Sequence, residues 1–244
     1  MKTLVVIPTF NEKENLGAIA AGIFRHAPPD TAILVVDDNS PDGTGALADE
    51  LARLYAGRLF VRHRQGKLGL GSAYLDGFRY GLEHGFEALC EMDADGSHDP
   101  AALPQLIAAV ADGADVAIGS RRVPGGRTEG WGPHRDLMSR SAMGLTRLAL
   151  GLRTRDVTAG FRCYRAAAAA ELLKLPIRSS GYAFQEEMIF YSERLGFRIK
   201  EIPIVFRDRR FGVSKLTPAE VRKFFTIIWH LRRQAAKLKP PASR

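Results

Sequence analysis

The 244-residue sequence has few of the features that mark several common classes of protein. It has only two cysteines, Cys90 and Cys163, which are too few for a disulfide framework or a zinc cluster. Both lie in apolar, strand-like stretches, so we expect buried thiols in a reducing compartment. The longest apolar run near the C-terminus, Phe224 to Trp229, is far shorter than the roughly 20 residues of a spanning helix.

Glycine motifs that bind phosphate are also missing. No Gly-x-Gly-x-x-Gly follows the first predicted strand, and no Gly-Lys-Ser/Thr occurs; Gly69 and Gly71 precede the third predicted helix instead. Classical dinucleotide-binding and P-loop functions therefore lose support. Any bound diphosphate would have to be neutralised by a metal ion and by arginine or lysine side chains.

The net charge of +8 fits a polyanionic partner, which is nucleic acid, a phosphate-rich ligand or an anionic membrane. The basic residues concentrate in 121–135, 207–215 and 222–239. They are not interleaved with aromatic residues, as in single-strand binders, and no helix-turn-helix, zinc-finger or RNA-binding signature accompanies them. We therefore expect no nucleic-acid partner.

Short apolar strands alternate with helices in the first half of the chain. The predicted strands are 3–7, 32–37, 59–63, 87–92 and 115–119, and the predicted helices are 12–26 (with Asn11 as N-cap), 43–55, 72–84 and 101–111. This alternation predicts an α/β fold with a Rossmann-like, mostly parallel sheet flanked by helices. A glycine-rich loop over 123–133 is typical of a lid or binding loop. Helices 137–150, 166–173 and 184–195, a strand 198–206 and a helix from about 218 to 238 follow.

Polar residues follow four of the predicted strands. The strand ends carry Pro8-Thr9-Phe10-Asn11-Glu12, Asp37-Asp38-Asn39-Ser40, Asp93-Ala94-Asp95 and Ser120-Arg121-Arg122. Parallel sheets bind ligands at the carboxyl ends of their strands. Three acidic clusters and one basic cluster are therefore expected at a single edge.

Asp93 and Asp95 are a candidate metal site. Two carboxylates at i and i+2 where a strand turns suit Mg²⁺ or Mn²⁺, which complete their coordination with phosphate oxygens and water. Taken alone, the triplet is more typical of a solvated loop with Asp99 as a helix cap; the polar residues at the other strand ends favour the metal site. In the loop after the second strand, Asp38 is the candidate nucleotide contact, whereas Asp42 fits turn and capping chemistry.

Eight segments occur in an order that resembles a known family. They are VVIPTFNEKENL, VVDDNSPDGTG, KLGLGSAYLDG, MDADGSHDP, GSRR, DVTAGFRCYR, GYAFQEEM and DRRFGVSKL. Over about residues 3–216 the chain resembles the polyprenol-phosphate mannosyltransferases, a group that includes dolichol-phosphate mannose synthase. These enzymes are inverting glycosyltransferases of family 2 with the GT-A fold. The resemblance implies the GT-A fold and transfer of mannose from GDP-mannose to a polyprenyl phosphate.

The resemblance also assigns roles to residues. The implied donor-binding residues are Pro8, Phe10, Glu12, Val36, Asp38, Asp93, Ala94, Asp95, Arg121, Arg209 and Lys215. Asp93, Asp95, Arg121 and Arg209 are implied to be catalytic, and Asp93 and Asp95 to hold the metal. Phe10 stands where the family often has tyrosine, Gly96 where leucine is common, and Asp99 where a second histidine is common.

Arg121, Arg135 and Ser139 are the candidate acceptor-phosphate residues. Arg135 and Ser139 are four residues apart near the start of a helix, so both can face one phosphate. The alternative is that Ser139 only caps the helix or faces solvent. A phosphate monoester is already largely anionic at neutral pH, so it needs placement rather than a general base. His98 is accordingly expected to shape its loop rather than to act in catalysis.

The predicted division is a GT-A catalytic domain over 1–216, a basic amphipathic helix over 217–238 and a disordered tail over 239–244. The helix stripe is Val221, Phe224, Phe225, Ile228, Leu231 and Ala235, flanked by Arg222, Lys223, Arg232, Arg233 and Lys237. Such a helix can lie in a membrane interface, or the same face can pack on the domain. We expect peripheral attachment at the cytoplasmic face of the membrane, with an integral membrane protein as a further candidate partner.

Two alternative functions stay open at this point. The same lipid could receive glucose from UDP-glucose, or another sugar from another nucleotide. The chain could also be a non-catalytic subunit that binds nucleotide sugar or membrane, although it keeps all the implied donor residues.

Overall fold

The computed structural model describes residues 1–179, 181, 183–208 and 218–235. Its strands are β1 (Thr3–Thr9), β2 (Thr31–Asp37), β3 (Leu59–His63), β4 (Ala88–Glu91), β5 (Val116–Ser120), β6 (Arg127–Glu129), β7 (Arg162–Arg165), β8 (Ile199–Pro203) and β9 (Val205–Arg207). Its helices are α1 (Lys13–His26), α2 (Thr44–Leu54), α3 (Leu70–Glu83), α4 (Leu103–Ala111), α5 (Pro133–Leu150), α6 (Ala166–Leu173), α7 (Ala183–Arg194) and α8 (Pro218–Ala235).

Seven strands form one sheet in the order β3-β2-β1-β4-β7-β5-β8. All neighbours are parallel except at β7, which is antiparallel to both β4 and β5. The predicted α/β, mostly parallel sheet is thus confirmed. The chain winds outward from β1 to β3 and then returns to add β4 on the other side of β1. Such a switch opens a crevice at the carboxyl ends of β1 and β4.

Apolar side chains on the two faces of the sheet form two separate cores. Successive residues of a strand point to opposite faces, so Leu4 and Val6 of β1 join one core while Val5 and Ile7 join the other. Helix α3 lies very close to the sheet. A Cβ atom added at Gly77 would collide with Val6, which is why a residue without a side chain is needed there.

Several local predictions differ from the structure. Strand β7 is absent from the predicted elements, because RCYR is short and half of its residues are basic. The predicted strand 198–206 is two strands, β8 and β9, and β9 leaves the main sheet to pair with β6. Helix α5 begins at Pro133 rather than at residue 137, as proline is favoured in the first helical turn.

The prediction that Asn11 caps α1 is wrong. Helix α1 begins at Lys13 after Glu12, and the side chain of Glu12, the N-cap residue, makes no capping hydrogen bond. Asn11 instead adopts the left-handed conformation with φ 62°, in which asparagine is tolerated better than most residues. By contrast, Cys90 and Cys163 are buried free thiols on neighbouring strands, as expected.

Helix α8 packs against α5 and α7. Ile228 and Leu231 are buried in the core, and the Tyr191 hydroxyl donates a hydrogen bond to Gln234. The predicted stripe positions Val221, Phe224, Phe225 and Ala235 have side chains outside the described part of the chain, as do Arg222, Lys223 and all of Lys237. The boundary at 216 and the tail 239–244 also lie outside it. Among the helices described, none is long and apolar enough to cross a bilayer.

Candidate active site

The loops after β1 and β2 are locked together by side-chain hydrogen bonds. The Thr9 and Ser40 hydroxyls both donate to the carboxylate of Asp37, at 3.0 and 2.6 Å. The Asn11 backbone N–H donates to the Ser40 hydroxyl oxygen at 3.0 Å. Asn39, like Asn11, is left-handed, with φ 58°. Strained residues of this kind persist where surrounding contacts hold them, and they cluster at functional sites.

Asp42 serves the local turn, as the capping interpretation predicted. Its carboxylate accepts hydrogen bonds from the Thr44 backbone N–H and hydroxyl and from the Lys13 backbone N–H. Burial alone would raise the pKa of Asp42, but these hydrogen bonds outweigh burial and lower the pKa below its usual value.

Asp38 fixes the loop that precedes α3. Its buried carboxylate lies 3.0 Å from the guanidinium of Arg64 and accepts hydrogen bonds from the backbone N–H groups of Leu68 and Gly69. This contact brings the Lys67 ammonium over the ring of Phe10, 4.0 Å from its centroid. Asp38 therefore fixes the loop that borders the crevice before α3. Its contact with a nucleotide stays a prediction.

The other predicted donor residues of β1 and β2 lie at the same edge. Pro8 is the half-buried penultimate residue of β1, and Val36, its register partner on β2, is fully buried. Phe10 and Glu12 follow β1 and are also half-buried. The structure thus brings these four residues together beside Asp38, in the crevice where the sheet order switches.

Asp93 and Asp95 follow β4 at the other side of the crevice. The buried hydroxyl of Tyr74 on α3 donates to Asp93 Oδ1 at 2.8 Å. Asp95 is 7% exposed, and its Oδ1 accepts the Ser97 backbone N–H at 3.0 Å. Burial, together with the negative charge of Asp93, raises the pKa of Tyr74 well above its usual value, so the phenol stays a proton donor.

His98 orders the loop after Asp95. It is buried and stacks on Phe161, with ring centroids 5.1 Å apart, while its Nδ1 accepts the Asp93 backbone N–H at 3.3 Å. Burial lowers the pKa of His98, with the carboxylates of Asp93 and Asp95 opposing this effect. These contacts show that His98 shapes the loop beneath the carboxylates, as expected; that it takes no part in catalysis stays a prediction.

Alternate residues of the segment before β7 face the same site. Asp156 binds the Arg121 guanidinium through Nε at 2.8 Å and Nη2 at 2.7 Å, and also accepts the Arg121 backbone N–H. Thr158 accepts a further hydrogen bond from Nη2 at 2.8 Å. A Cβ atom added at Gly160 would lie 3.3 Å from Asp93 Oδ2. This segment therefore links the loop of Asp93 and Asp95 to the end of β5.

The Arg121–Asp156 pair is almost completely removed from solvent, at 7% and 0% exposure of the side chains. Burial alone would raise the pKa of Asp156, but the bonds and charge of Arg121 outweigh it and lower that pKa. The rings of Phe206 and Trp131 lie 5.0 and 5.8 Å from the guanidinium. Within the described chain, Nη1 is the one amino group of Arg121 that makes no hydrogen bond.

Arg122, rather than Arg121, contacts Ser139. Its Nη2 donates to the Ser139 hydroxyl at 3.2 Å, and its Nη1 donates to Asp136 at 2.6 Å. Burial would raise the pKa of Asp136, but Arg122 and Arg140 outweigh it and lower that pKa. The sequence reasoning singled out Arg121 and missed Arg122, although the two are adjacent and face different partners.

Arg135 lies on the first turn of α5. Its guanidinium stacks on Trp131, 4.3 Å from the ring centroid, and its Nη1 bonds Asp208 at 2.7 Å. Ser139 is one helical turn further along, so the two lie on one side of the helix as predicted. Each nevertheless has its own protein partner. Arg209 and Lys215, the two remaining donor residues implied by the resemblance, lie outside the described residues.

A buried polar group lies behind the loop of Asp93 and Asp95 and was also missed from the sequence. Arg162 is fully buried and donates to the carbonyl oxygens of Gln185 and Val157 at 2.8 and 3.0 Å. Burial raises the pKa of Glu91 to about 7 and that of Glu186 to about 8, with the Arg162 charge opposing the rise in both cases. The alternation Asp156, Thr158, Gly160, Arg162 is the sequence signal that could have revealed this layer.

The donor atoms at Asp93 and Asp95 suit a hard divalent cation. Among the residues that the structure describes, no group of three or more histidine, cysteine, aspartate or glutamate side chains could hold a metal. Mg²⁺ is typically bound by one or two carboxylates, with substrate phosphates and water completing its octahedron. The two carboxylates of this loop fit such a site.

Comparison with known proteins identifies relatives over most of the chain. Residues 4–173 match the profile of glycosyl transferase family 2. The chain is 48% identical over 233 residues to the polyprenol monophosphomannose synthase of Mycolicibacterium smegmatis, covering 95% of this chain and 88% of that protein. It is 48% identical over 217 residues to the undecaprenyl-phosphate mannosyltransferase of Micrococcus luteus, covering 89% and 88%.

A solved structure shows the same fold. A mannosyltransferase from Pyrobaculum calidifontis, in complex with GDP-Man and Mn²⁺, superposes with a TM-score of 0.62 at 15% identity. The match covers 99% of this chain and 66% of that one. The predicted GT-A architecture is therefore confirmed.

Proposed function

The chain belongs to glycosyl transferase family 2, and we propose that it transfers mannose from GDP-mannose to a polyprenyl phosphate with inversion at the anomeric carbon. The acceptor class is that of the two relatives at 48% identity, whose names specify polyprenol and undecaprenyl phosphate. GDP-mannose is the ligand of the structural neighbour from Pyrobaculum calidifontis. The observation that carries the proposal is the pair Asp93 and Asp95 at the β1/β4 crevice, with arginines at the end of β5.

Asp93 and Asp95 would hold Mg²⁺ or Mn²⁺ on the donor diphosphate. The bound ion supplies positive charge that stabilises the departing diphosphate. Tyr74 orients Asp93, and the Ser97 backbone N–H orients Asp95. Hydrogen-bonded partners of this kind keep ligand oxygens in place before the substrate arrives.

The donor nucleoside would lie between the loops after β1 and β2. Pro8, Phe10 and Glu12 form one side, with Val36 and Asp38 beside the base, and Ala94 lies near the diphosphate. The Lys67 ammonium lies over the Phe10 ring. If the nucleotide base stacks on that ring, Lys67 would be displaced and could bind a donor phosphate. Arg209 and Lys215 complete the proposed donor set from outside the described residues.

The acceptor phosphate would bind at the start of α5. Arg135 and Ser139 provide donors from one helix face, and Arg122 adds a third group because it already contacts Ser139. Arg121 reaches the same region from the end of β5, with Nη1 as the group that remains for a phosphate oxygen. A guanidinium fixed by Asp156 pays little entropy when it binds such an oxygen.

The residues favour a direct displacement. The acceptor phosphate has a second pKa of about 6, so it is already largely an anion at neutral pH. It can therefore attack the anomeric carbon without losing a proton to the enzyme. The enzyme supplies alignment of the two reactants and charge stabilisation on the leaving side. Neutral, buried His98 fits this scheme because no general base is required.

We propose peripheral contact with the membrane that carries the acceptor, at its cytoplasmic face. An integral membrane protein remains a candidate partner for that contact. The charge of +8 supports attraction to an anionic surface.

The deciding experiment offers the purified protein a polyprenyl phosphate with either GDP-mannose or UDP-glucose, with Mn²⁺ or with a chelator. The proposal expects mannolipid from GDP-mannose and Mn²⁺, and little product with the chelator. Glucolipid alone would replace the donor assignment with UDP-glucose. No product from either donor would favour a non-catalytic subunit.

A further inference from the structure

Helix α5 exposes large apolar side chains on the side that faces away from the core. They are Leu137, Met138, Leu145 and Leu148, with Leu148 exposing 84% of its surface. At 100° per residue these four positions fall within one arc of the helix, and the buried Met143, Thr146 and Leu150 fall on the opposite side. We call the exposed arc the apolar face of α5. Ser141 and Gly144 lie between the pair 137–138 and the pair 145 and 148 on this side of the helix. Exposed apolar side chains grouped on one side of a helix mark a candidate interaction site.

The apolar face has basic groups around it. Helix α5 carries Arg135, Arg140 and Arg147 against the single acidic residue Asp136. Helix α8, which packs on α5, exposes Trp229 with the Arg233 guanidinium 4.3 Å from its ring centroid. Exposed apolar side chains on a helix that also carries arginines, beside a second helix that exposes tryptophan and arginine, are typical of surfaces that lie in a bilayer interface.

The apolar face lies on the same helix as the proposed acceptor residues, on a neighbouring side, with Met138 about 60° from Arg135 around the helix axis. Leu137 and Met138 lie in the sequence between Arg135 and Ser139, on the same first turns of α5. A lipid phosphate bound by Arg135 and Ser139 would have its hydrocarbon chain in the membrane. The apolar face is therefore on the helix that must lie nearest to the lipid.

From these observations we propose that the apolar face of α5 docks the protein on an anionic lipid surface. The proposal rests on the proposed function, because the argument from position requires a membrane-bound acceptor. It moves the contact away from the C-terminal helix expected from sequence. Ile228 and Leu231, the stripe residues of α8 whose side chains are described, are buried against the core and have no apolar surface to insert.

Vesicle flotation tests the proposal. The variant Leu145→Glu/Leu148→Glu places two carboxylates on the apolar face, and Leu54→Glu on α2 is the matched control, since Leu54 is 71% exposed. Vesicles of phosphatidylcholine with phosphatidylglycerol are compared with pure phosphatidylcholine. We expect at least about tenfold weaker binding of the double variant to the anionic vesicles, no change for the control, and weak binding of all proteins to neutral vesicles.

Unchanged binding of the double variant to anionic vesicles would overturn the proposal. So would a wild-type dimer in light scattering that becomes a monomer in the variant while vesicle binding stays the same, because a second copy of the chain would then cover the face. The milder Leu145→Ser/Leu148→Ser, with folding checked by circular dichroism, should show a smaller loss of binding in the same direction.

A water-soluble, short-chain polyprenyl phosphate separates this proposal from the proposed function. The double variant should transfer mannose to that acceptor as fast as the wild type, while losing activity on acceptor held in vesicles. If the wild type transfers to neither acceptor but its vesicle binding still depends on Leu145 and Leu148, the proposed function fails and the docking surface stands.

Discussion

Asp156 holds Arg121 by three hydrogen bonds, two from the guanidinium and one from the backbone N–H, at 2.7 to 2.8 Å. The two residues are 35 positions apart in the sequence. Their contact closes the segment before β7 onto the end of β5. It thereby fixes Arg121 between the proposed metal loop and the proposed acceptor site.

Replacing Asp156 by alanine should damage both stability and activity. Removal of one partner of a buried ion pair leaves the other charge uncompensated, which costs about 3–5 kcal/mol. The free guanidinium would also lose its placement, and a misplacement of this kind costs about a hundredfold in rate. Urea unfolding and steady-state kinetics measure the two effects. Thr158→Val, which removes one hydrogen bond to the same guanidinium, should cost only about 0.5–1.5 kcal/mol. Equal losses in both variants would contradict the role given to Asp156.

Tyr74→Phe should weaken the response to Mn²⁺ with little change in the fold. The substitution removes the hydroxyl that donates to Asp93 Oδ1 and keeps the ring in the core. Loss of such an orienting partner reduces metal affinity about 10–100-fold. The measurement is the Mn²⁺ concentration for half-maximal transfer. Tyr80→Phe on the same helix is the control, since no Tyr80 hydroxyl contact with a carboxylate exists in the described chain. An unshifted Mn²⁺ dependence for Tyr74→Phe would show that Asp93 does not need this contact.

Substitutions in the proposed acceptor site should change KM for the acceptor without changing KM for the donor. Arg135→Ala removes a charged donor, and such groups contribute about 1.5–3 kcal/mol, so KM for a short-chain acceptor should rise about tenfold or more. KM for GDP-mannose should stay constant. Ser139→Ala should raise the acceptor KM by less, and the exposed Ser141→Ala on the same helix should change neither constant. An acceptor KM unaffected by Arg135→Ala would remove Arg135 from the phosphate site.

Glu186 should make the protein less stable as the pH rises. Burial raises the pKa of Glu186 from 4.5 to about 8, because the interior disfavours the carboxylate and Arg162 offsets this only in part. Between these values the folded state binds more protons than the unfolded state, so the free energy of unfolding falls as pH rises from about 4.5 to about 8. Glu186→Gln cannot ionise and should escape this loss.

Urea midpoints at pH 5 and pH 8, compared between wild type and Glu186→Gln, test the Glu186 prediction. The difference between the two proteins should favour Glu186→Gln increasingly toward pH 8. The exposed Glu14→Gln on α1 should run parallel to the wild type. Parallel curves for Glu186→Gln as well would mean that the carboxyl ionises normally in the folded protein.

The sequence predicted the parts of the site that depend on local rules. The position of Asp93 and Asp95 was predictable because parallel strands present their ends at one edge, and the turn contacts of Asp42 because short turns need side-chain acceptors. Contacts between distant segments were not predictable in this way. Arg121 and Arg122 are adjacent, and only the fold shows that one turns to Asp156 and the other to Ser139. Strand β7 was missed because burial of Arg162 on its inner side depends on carbonyl oxygens from two other segments.

The C-terminal helix illustrates the same limit in another form. Its periodic apolar residues fitted both a membrane surface and a core, and periodicity alone does not distinguish the two. Because Ile228 and Leu231 are buried, the described part of the stripe packs on the domain rather than on a membrane. The exposed leucines of α5 were not recognised from the sequence. Apolar residues occur on more than one side of this helix, so the sequence does not indicate which side is buried.

The role of Asp95 in mannose transfer is tested most directly by comparing the wild type with Asp95→Asn. The assay measures transfer of labelled mannose from GDP-mannose to a polyprenyl phosphate in the presence of Mn²⁺. Asparagine keeps the size of the side chain and the acceptor for the Ser97 N–H, and it removes the negative charge. The wild type should form a mannosylated lipid with an inverted anomeric centre, and Asp95→Asn should form at least about a hundredfold less. Equal rates of mannolipid formation by the two proteins would contradict this role of Asp95.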